Sequence, residues 1–335
     1  MDPFTHGLSG TLLAVFFSLR PRYGLVAAAA LVVASMAPDL DALPIILGLK
    51  YFYQYHRVLF HSLAGALPLV VGLSTAVYLF TPLKDYRLVL TLSLAGVLLH
   101  LVVDLLSSWG IPLLYPLSTH RYSLDLVWFV NLIIVVVALG ALLWVRTDLK
   151  NAPIIAGVAL ALIGVYVGFR WYQQRTVVDF MRNEVLSENS PALVGVIPSQ
   201  MRFFTWHAVV QQNDGYLVHD VHFCLAPREV RTLSGGAGGT RILSSQTIHS
   251  SSEKDIIAAS KEAELARIFL ERARFPVALV EKREKGYRVD WQDVHLMLAG
   301  GGIRGVIVYT DEQGRVTGQR FKLKPELEML ERKQD

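Results

Sequence analysis

Long apolar runs dominate the first half of the chain. A membrane-spanning helix needs about 20 consecutive apolar residues, and the four clearest runs near that length are Phe60–Phe80, Leu88–Leu106, Leu124–Val145 and Ala152–Phe169. A fifth run, Tyr23–Leu43, ends at the acidic sequence Pro-Asp-Leu-Asp, where Pro38 is expected to break the helix. A shorter run before Arg20 begins with Asp2 and Pro3, which suit a helix N-cap and a first helical position. The pattern predicts an α-helical integral membrane domain of about six segments.

Shorter runs follow residue 170, and several have the spacing of strands. Two of them flank the Asn-Asp-Gly sequence at residues 213–215, which predicts a β-hairpin. Further strand-like runs are Val277–Glu281, Tyr287–Met297, Ile303–Thr310 and Val316–Leu323. Ser252–Ala273 has the spacing of one amphipathic helix, and Trp171–Leu186 is predicted to be a helical connector. The glycine-rich Ser234–Gly239 is typical of a flexible turn or linker.

The distribution of charge also divides the chain near residue 170. Residues 1–170 contain 17 of the 60 charged residues, and no glutamate precedes Glu184. Since 53% of all residues are hydrophobic, the chain is more apolar than an ordinary soluble protein. We therefore predict a membrane-embedded domain over residues 1–170 and a small β-rich α+β soluble domain over residues 171–335. The net charge of +4 comes without runs of like charge, which argues against nucleic-acid binding, and the single Cys224 excludes an intramolecular disulfide.

Seven ionisable residues stand out against the apolar membrane domain. If successive segments cross the membrane in alternate directions, odd-numbered segments begin and even-numbered segments end at the same membrane face. All seven residues lie at that face; they are His6, Asp39, Asp41, His56, His61, His100 and Asp104. His100 and Asp104 are four residues apart and share one helix face. An ionisable side chain inside a membrane costs about 2.5 to 3.5 kcal/mol on insertion scales, so such residues are kept where they are paired, ligated or used. We predict that all seven are metal ligands.

Histidine and aspartate suit a divalent transition metal. Zn²⁺ is the first candidate, with Mn²⁺ or Fe²⁺ as alternatives, and the set is large enough for one or two ions. Water activated by the ion would be the nucleophile. Asp39 or Asp41 would act as general base, while Arg57 and Arg121 would bind an anionic group of the substrate. As alternatives, Asp41 and His56 could orient a ligand imidazole, and both arginines could be interfacial anchors that reach lipid headgroups.

Five short motifs follow one another in a specific order: THGLSG (residues 5–10), PDLD (38–41), HRVLFHS (56–62), HLVVD (100–104) and Trp109-Gly110. Together they resemble the YdjM-type family of membrane-bound metal-dependent hydrolases, some of which are described as LexA-regulated inner-membrane proteins. The resemblance covers about residues 1–145 and implies a protein of the bacterial cytoplasmic (inner) membrane with a His/Asp metal site. STHRYSLD looks like a further family block, in which Arg121 is the matching basic residue. The motif order is similar, more weakly, to that of zinc-dependent phospholipase C proteins, which points to a phosphoester or lipid substrate.

The resulting hypothesis is a hydrolase that uses metal-activated water on a lipid-borne or membrane-proximal phosphoester or ester. A proton- or cation-coupled transporter is the main alternative, although polar groups at one face instead of the midplane argue against it. The third is a membrane scaffold whose soluble domain binds a protein partner that the sequence does not identify. Expected partners are membrane lipids. If Arg57 and Arg121 belong to the site, the remaining positive charges place the site and the soluble domain outside the cytoplasm.

Overall fold

The computed structural model describes residues 2–186, 192–224, 240–299 and 303–323. The chain divides into two compact units, Met1–Tyr172 and Gln173–Asp335. Seven α-helices occupy the first unit and extend to residue 180; they are α1 Pro3–Phe16, α2 Leu19–Met36, α3 Leu49–Tyr55, α4 Leu63–Phe80, α5 Tyr86–Leu105, α6 Leu132–Thr147 and α7 Ala152–Phe180. Two 3-10 segments, Ala37–Leu47 and Leu149–Asn151, follow α2 and precede α7.

Polar side chains set where several of these helices begin. Asp2 caps α1 by accepting a hydrogen bond from the Thr5 backbone N–H at 3.0 Å, which confirms the predicted N-cap. Ser62 caps α4 in the same way, with the Gly65 N–H 3.1 Å from its hydroxyl oxygen. These caps matter for the site, because the turns that they define carry polar residues of the cluster described below.

The end of α2 is a change of helix type. The α-helix stops at Met36, and the chain continues as the 3-10 segment Ala37–Leu47, which includes Asp39 and Asp41. Pro38 has no N–H to donate to the preceding turn, so it cannot continue the α-helical hydrogen-bond pattern. Both carboxylates therefore lie on a tighter turn beyond the end of α2, as the expected break at Pro38 requires.

Within the described residues, four helical stretches are long and apolar enough to cross a membrane: Leu19–Leu47, Leu63–Phe80, Tyr86–Leu105 and Leu149–Val185. The predicted segment Leu124–Val145 is wrong at its start, because the helix begins only at Leu132. The preceding residues form an irregular stretch in which the Leu124 and Leu126 N–H groups donate to carbonyls at the end of α5. Asn131 then caps α6. The irregular stretch lies against the end of the helix that carries His100.

Close contact between α2 and α5 depends on glycine. A Cβ atom added at Gly96 would lie 2.6 Å from the Leu31 carbonyl oxygen and 2.7 Å from the Ala34 Cβ. Only glycine lets the two helix backbones approach this closely. Leu31 and Ala34 are themselves buried, in two adjoining apolar clusters that include residues of α5. The tight packing places Ser35 of α2 next to the His100 side chain of α5.

The described residues of the second unit form two four-stranded antiparallel sheets. Their strands are β1 Leu193–Pro198, β2 Thr205–Gln212, β3 Gly215–His222, β4 Arg241–His249, β5 Pro276–Arg283, β6 Gly286–Asp293, β7 Ile303–Thr310 and β8 Val316–Leu323. Each sheet pairs its strands in chain order, β1 to β4 and β5 to β8. Val209 and Val218 of the first sheet pack with Val277 of the second, so the sheets share an apolar core. The predicted β-rich domain and its hairpin at residues 213–215 are confirmed.

Two details of the second unit differ from the pattern. The single helix predicted over Ser252–Ala273 is wrong: α8 Lys254–Ser260 and α9 Glu264–Leu270 are separate, with a bend at residues 261–263. The run Tyr287–Met297 is strand only to Asp293 and continues as the short helix α10, Val294–Ala299. The predicted connector is the continuation of α7, followed by a π-helical turn at Met181–Val185. The predicted linker Ser234–Gly239 lies outside the described residues.

Candidate metal centre

All seven predicted ligands lie in one chain of contacts in the helical unit. His6 comes from the first turn of α1, the two aspartates near Pro38 come from the 3-10 segment, and His100 and Asp104 come from the last turns of α5. His56 and His61 lie in the connection between α3 and α4. The side chains of His6, His61, His100 and Asp104 are fully buried, and the other three keep little exposure. Four separate chain segments thus deliver imidazoles and carboxylates to one buried place.

His61 and His100 direct two ring nitrogens at each other. Their Nε2 atoms lie 3.1 Å apart. The Nδ1 of His100 is 2.8 Å from the Ser35 carbonyl oxygen, which can only accept, so this nitrogen carries the proton. The Nδ1 of His61 lies 3.0 Å from a carboxylate oxygen of Asp41 and is likewise the donor. In the neutral rings both Nε2 atoms then present lone pairs, so a proton or a metal ion is needed between them.

Two further carboxylates face the same pair of nitrogens. Asp104 Oδ2 lies 3.3 Å from His61 Nε2 and 3.8 Å from His100 Nε2. Asp39 Oδ1 lies 3.6 Å from His61 Nε2 and 3.8 Å from His100 Nε2. In a tetrahedral zinc site with bonds of about 2.0 to 2.2 Å, neighbouring ligand atoms are about 3.3 to 3.6 Å apart. The separations around His61 and His100, 3.1 to 3.8 Å, are close to that spacing.

His6 adds a third imidazole beside this pair. Its ring stacks on that of His100, with centroids 3.7 Å apart and planes inclined by 16°. Its Nε2 is 3.3 Å from Asp104 Oδ1, and neither ring nitrogen makes a hydrogen bond within the described part of the chain. A buried imidazole without a hydrogen bond is costly unless a ligand completes it. Among the residues that the structure describes, two triplets are compact enough to hold an ion: His61, His100 and Asp104, and His6, Asp39 and His100.

Asp41 holds the histidines instead of facing the centre. Its Oδ1 lies 2.8 Å from His56 Nδ1, and its Oδ2 lies 3.0 Å from His61 Nδ1 and accepts the Arg57 backbone N–H at 3.1 Å. A carboxylate on the distal nitrogen of an imidazole fixes its orientation and raises its basicity as a ligand. Neither compact triplet includes Asp41 or His56. Burial lowers the pKa of His56, although its hydrogen bond to Asp41 works in the opposite direction.

Arg57 lies within the cluster, whereas Arg121 supports the adjoining loop. The buried Arg57 donates from Nη2 to Asp104 Oδ1 at 3.1 Å, and its guanidinium lies 5.5 Å from the centre of the Phe129 ring. Its backbone is left-handed, with φ of 56°, which is strained for a residue with a side chain. Arg121 donates to backbone carbonyls, including that of Gly110 at 2.9 Å. Contact of either arginine with a substrate stays a prediction.

Three interactions of the centre carry little signal in the sequence. The Ser35 carbonyl holds His100, but a backbone acceptor leaves no trace in residue type. Phe129 lies under Arg57, although it reads as one more apolar residue of a membrane run. The Ser35 hydroxyl donates to the His6 carbonyl oxygen at 3.1 Å and so ties α2 to α1. In the sequence, this interaction is indicated only by a serine within an apolar helix, four residues before Asp39.

The donor set fits a divalent cation. Asp39, Asp41 and Asp104 bring up to three negative charges, while Arg57 contributes one positive charge, in contact with Asp104. Buried charge without compensation is unfavourable by several kcal/mol per ion. A cation of charge +2 would neutralise the remainder. Imidazole and carboxylate ligands together are typical of zinc, manganese and ferrous iron.

Comparison with known proteins places this arrangement in a family. The model of the YdjM inner membrane protein family matches residues 1–177. The chain belongs to the YdjM family. The family match includes every residue of the cluster and ends within α7, so strands β1 to β8 lie beyond it. The resemblance suggested by the five motifs is thereby confirmed, as is the assignment to an inner-membrane protein family.

One curated relative of this YdjM family member comes from Bacillus subtilis (strain 168), where it is named "Uncharacterized protein YfhP". It is 24% identical over 225 residues, which are 65% of this chain and 67% of the relative. No solved structure matches. The comparisons therefore establish the family and the membrane location and leave the chemistry to be argued from the centre itself.

The β-rich unit contains histidines of a different kind. His207 Nδ1 lies 2.7 Å from Asp220 Oδ1, and His219 Nδ1 lies 2.7 Å from the Ser245 hydroxyl. These contacts link side chains on neighbouring strands of the first sheet. Such cross-strand pairs stabilise a sheet by about 0.2 to 1 kcal/mol each. Their geometry is explained by strand pairing alone.

Proposed function

We propose that the helical unit is a membrane-bound metal-dependent hydrolase that cleaves a phosphoester or other ester carried by a lipid or presented close to the membrane. The observation that carries the proposal is the pair of Nε2 atoms of His61 and His100, 3.1 Å apart, with carboxylate oxygens of Asp39 and Asp104 around them. A structural hydrogen-bond network would pair each acceptor with a donor. Acceptors that face acceptors are instead the arrangement expected of a ligand set.

His61, His100 and Asp104 would hold the ion, with Asp39 and His6 as further ligands. When bound, a divalent ion supplies Lewis acidity and makes water acidic enough to act as a nucleophile near neutral pH. Asp41 keeps the His61 ring turned so that Nε2 faces the centre, and the Ser35 carbonyl does the same for His100. The ligand imidazoles are thus held in the required orientation by partners outside the centre.

Asp39 would accept a proton from the attacking water. Its side chain keeps 9% exposure, whereas Asp104 is fully buried. Asp39 Oδ2 is buried and makes no hydrogen bond within the described residues, so it lacks the partner that a bound water or a substrate group would provide. Arg57 already donates to Asp104, and its positive charge would also stabilise an anionic ester close to the centre. In this proposal Asp39 accepts the proton of the water, and Arg57 stabilises the negative charge of the ester.

Metal analysis of the purified full-length protein in detergent tests the first half of the proposal. We expect one or two equivalents of zinc, manganese or iron in the wild type and a loss of most of it in His100→Gln, which keeps the size of the side chain. The matched control is His120→Gln, because His120 is exposed and lies outside the cluster. Wild-type protein that holds no metal after purification and after incubation with each of the three ions would refute the metal centre.

Hydrolysis assays test the second half. The metal-loaded protein should release phosphate or a phosphorylated headgroup from at least one member of a phospholipid and lipid-phosphate panel in mixed micelles. Asp39→Asn should retain metal through its other ligands and lose most of the rate, because the proton acceptor is gone. Metal-loaded protein that cleaves nothing in the panel, but moves protons or cations across proteoliposomes, would favour the transporter instead.

A further inference from the structure

An apolar groove opens directly beside the metal centre. Its volume is about 570 Å³, within the range of roughly 300 to 1,000 Å³ that is usual for small-molecule sites. One wall is the 3-10 segment after α2, with Leu40, Leu43 and Leu47; the other is the connection before α4, with Leu59 and Phe60. Of the described residues that line the groove, Asp41 alone is charged. The groove is therefore suited to an apolar occupant.

Asp41 joins the groove to the centre. The same side chain lines the groove and holds the rings of His56 and His61. Leu59 and Phe60 lie between Arg57 and His61 in the chain, so the groove wall and the metal centre share one short connection. A molecule seated in the groove would have one end within reach of the centre. The two features are parts of one site.

The groove walls belong to a stretch with membrane-spanning character. The 3-10 segment is the end of the candidate span Leu19–Leu47. Its apolar side chains are exposed, with 59% exposure at Leu43 and 82% at Ile46. Exposed apolar area on this scale is stable where lipid covers it. Tyr55 and Tyr115 also line the groove, and tyrosine is enriched where membrane meets water.

We propose that this groove binds one acyl chain of a membrane phospholipid, with the ester of that lipid at the metal centre. A peptide segment would bring backbone N–H and C=O groups that need partners, and leucine, isoleucine and phenylalanine side chains offer none. An acyl chain needs only apolar contact. The ester assignment rests on the proposed hydrolase function, whereas binding of the chain does not depend on catalysis.

Lipid retention by the full-length protein tests the groove. The protein would be extracted from vesicles of phosphatidylethanolamine and phosphatidylglycerol, purified in detergent, and assayed for bound phospholipid by native mass spectrometry. Leu43→Trp fills the groove and should lower retention several-fold. The matched control is Leu67→Trp: Leu67 lies in the candidate span Leu63–Phe80, is 63% exposed, and does not line the groove. Equal retention in the two variants would overturn the proposal.

A second measurement needs no substitution. Phosphatidylglycerol with a diazirine at the end of its acyl chain would be photolysed in proteoliposomes of wild-type protein. Labelling should concentrate on peptides 40–47 and 55–60, and unlabelled phosphatidylglycerol should compete for it. Labelling no stronger than that of the exposed face of α4 at Leu67 and Val71 would contradict a dedicated groove. A change from dimer to monomer on filling the groove with Leu43→Trp, with lipid content unchanged, would identify a second copy of the chain as the occupant and overturn the proposal.

Metal content separates this inference from the proposed function. Leu43→Trp should retain the wild-type amount of metal, since the substitution leaves the ligands in place. Protein that binds lipid in the groove but holds no metal would refute the hydrolase and leave the groove standing. Protein that holds metal and cleaves lipids equally well with the groove filled would refute the proposed acyl-chain site and leave the proposed hydrolase function standing.

Discussion

The Nε2 atoms of His61 and His100 lie 3.1 Å apart, while the Nδ1 atom of each ring is occupied by an acceptor. His61 is held by a carboxylate of the 3-10 segment and His100 by a carbonyl of α2. The pair is therefore fixed from opposite sides by segments that are adjacent in sequence, Ser35 and Asp41. Any change that shifts the end of α2 is expected to alter both rings together.

Replacing Asp41 tests this support. Asp41→Asn removes the negative charge behind His61 and His56 and should weaken metal binding by about 10- to 100-fold, the usual effect of losing a partner behind a ligand imidazole. The affinity would be measured by competition with a chromophoric chelator. Asp2→Asn is the matched control, since it removes a charge from the same unit but asparagine still caps α1. Equal affinities in the two variants would show that Asp41 does not orient the ligands.

Metal removal should destabilise the helical unit. An ion that binds only the folded state adds about 2.7 kcal/mol at a concentration 100 times its Kd. Thermal unfolding in detergent should therefore shift to lower temperature after chelation and return on addition of zinc. His61→Gln should unfold at the same temperature with and without zinc. A shift of equal size in His61→Gln would place the stabilising ion elsewhere.

Gly96 is expected to tolerate no side chain. In Gly96→Ala the new Cβ would meet the Leu31 carbonyl oxygen at 2.6 Å, and overpacking of this kind costs about 1 to 3 kcal/mol. The new side chain would also push α2 away from α5 and weaken the hydrogen bond from His100 Nδ1 to the Ser35 carbonyl oxygen, so metal affinity should fall. Gly72→Ala is the control, because no atom lies within 4 Å of its added Cβ. Alanine is favoured over glycine within a helix by about 1 kcal/mol, so Gly72→Ala should stabilise the protein whereas Gly96→Ala should destabilise it.

The β-rich unit should lose stability in mild acid through His295. Burial, followed by the positive charge of Arg274, lowers the pKa of His295 to about 3. Since the unfolded group titrates near 6.5, the stabilisation is complete above that pH and is lost as the pH falls toward 3, by about 2 kcal/mol at pH 5. Burial raises the pKa of the neighbouring Asp293. Protonation of this carboxyl therefore adds stability, but only as the pH falls toward the raised pKa.

Hydrogen exchange of β6 in the full-length protein measures this effect. After correction for intrinsic exchange rates, the opening free energy should drop between pH 7 and pH 5 in the wild type and change less in His295→Phe. His249→Phe is a suitable comparison, because His249 is exposed at the end of β4. An unchanged pH dependence in His295→Phe would assign the effect to another group.

Local signals were sufficient for several elements. The N-cap at Asp2, the hairpin at residues 213–215 and the break at Pro38 each depend on the chemistry of one or two residues, and each occurs where the pattern predicts. The start of α6 was misplaced because Leu124 and Leu126 are apolar but donate their N–H groups to the end of α5. That tertiary contact overrides the hydrophobic pattern. The helix over Ser252–Ala273 was wrong because periodicity continues across the bend at residues 261–263.

The sequence by itself determined which residues could form the centre, since ionisable side chains in a membrane segment are too costly to keep without a partner or a ligand. It also determined the family, through five motifs within the first 110 residues. Only the tertiary structure decided the roles. Asp39 and Asp41 are two residues apart, yet Asp39 faces the paired Nε2 atoms, whereas Asp41 holds the Nδ1 atom of His61 on the far side of its ring. That distinction depends on the tight turn after Pro38 and on the distance between α2 and α5, which arise from packing between segments far apart in the chain.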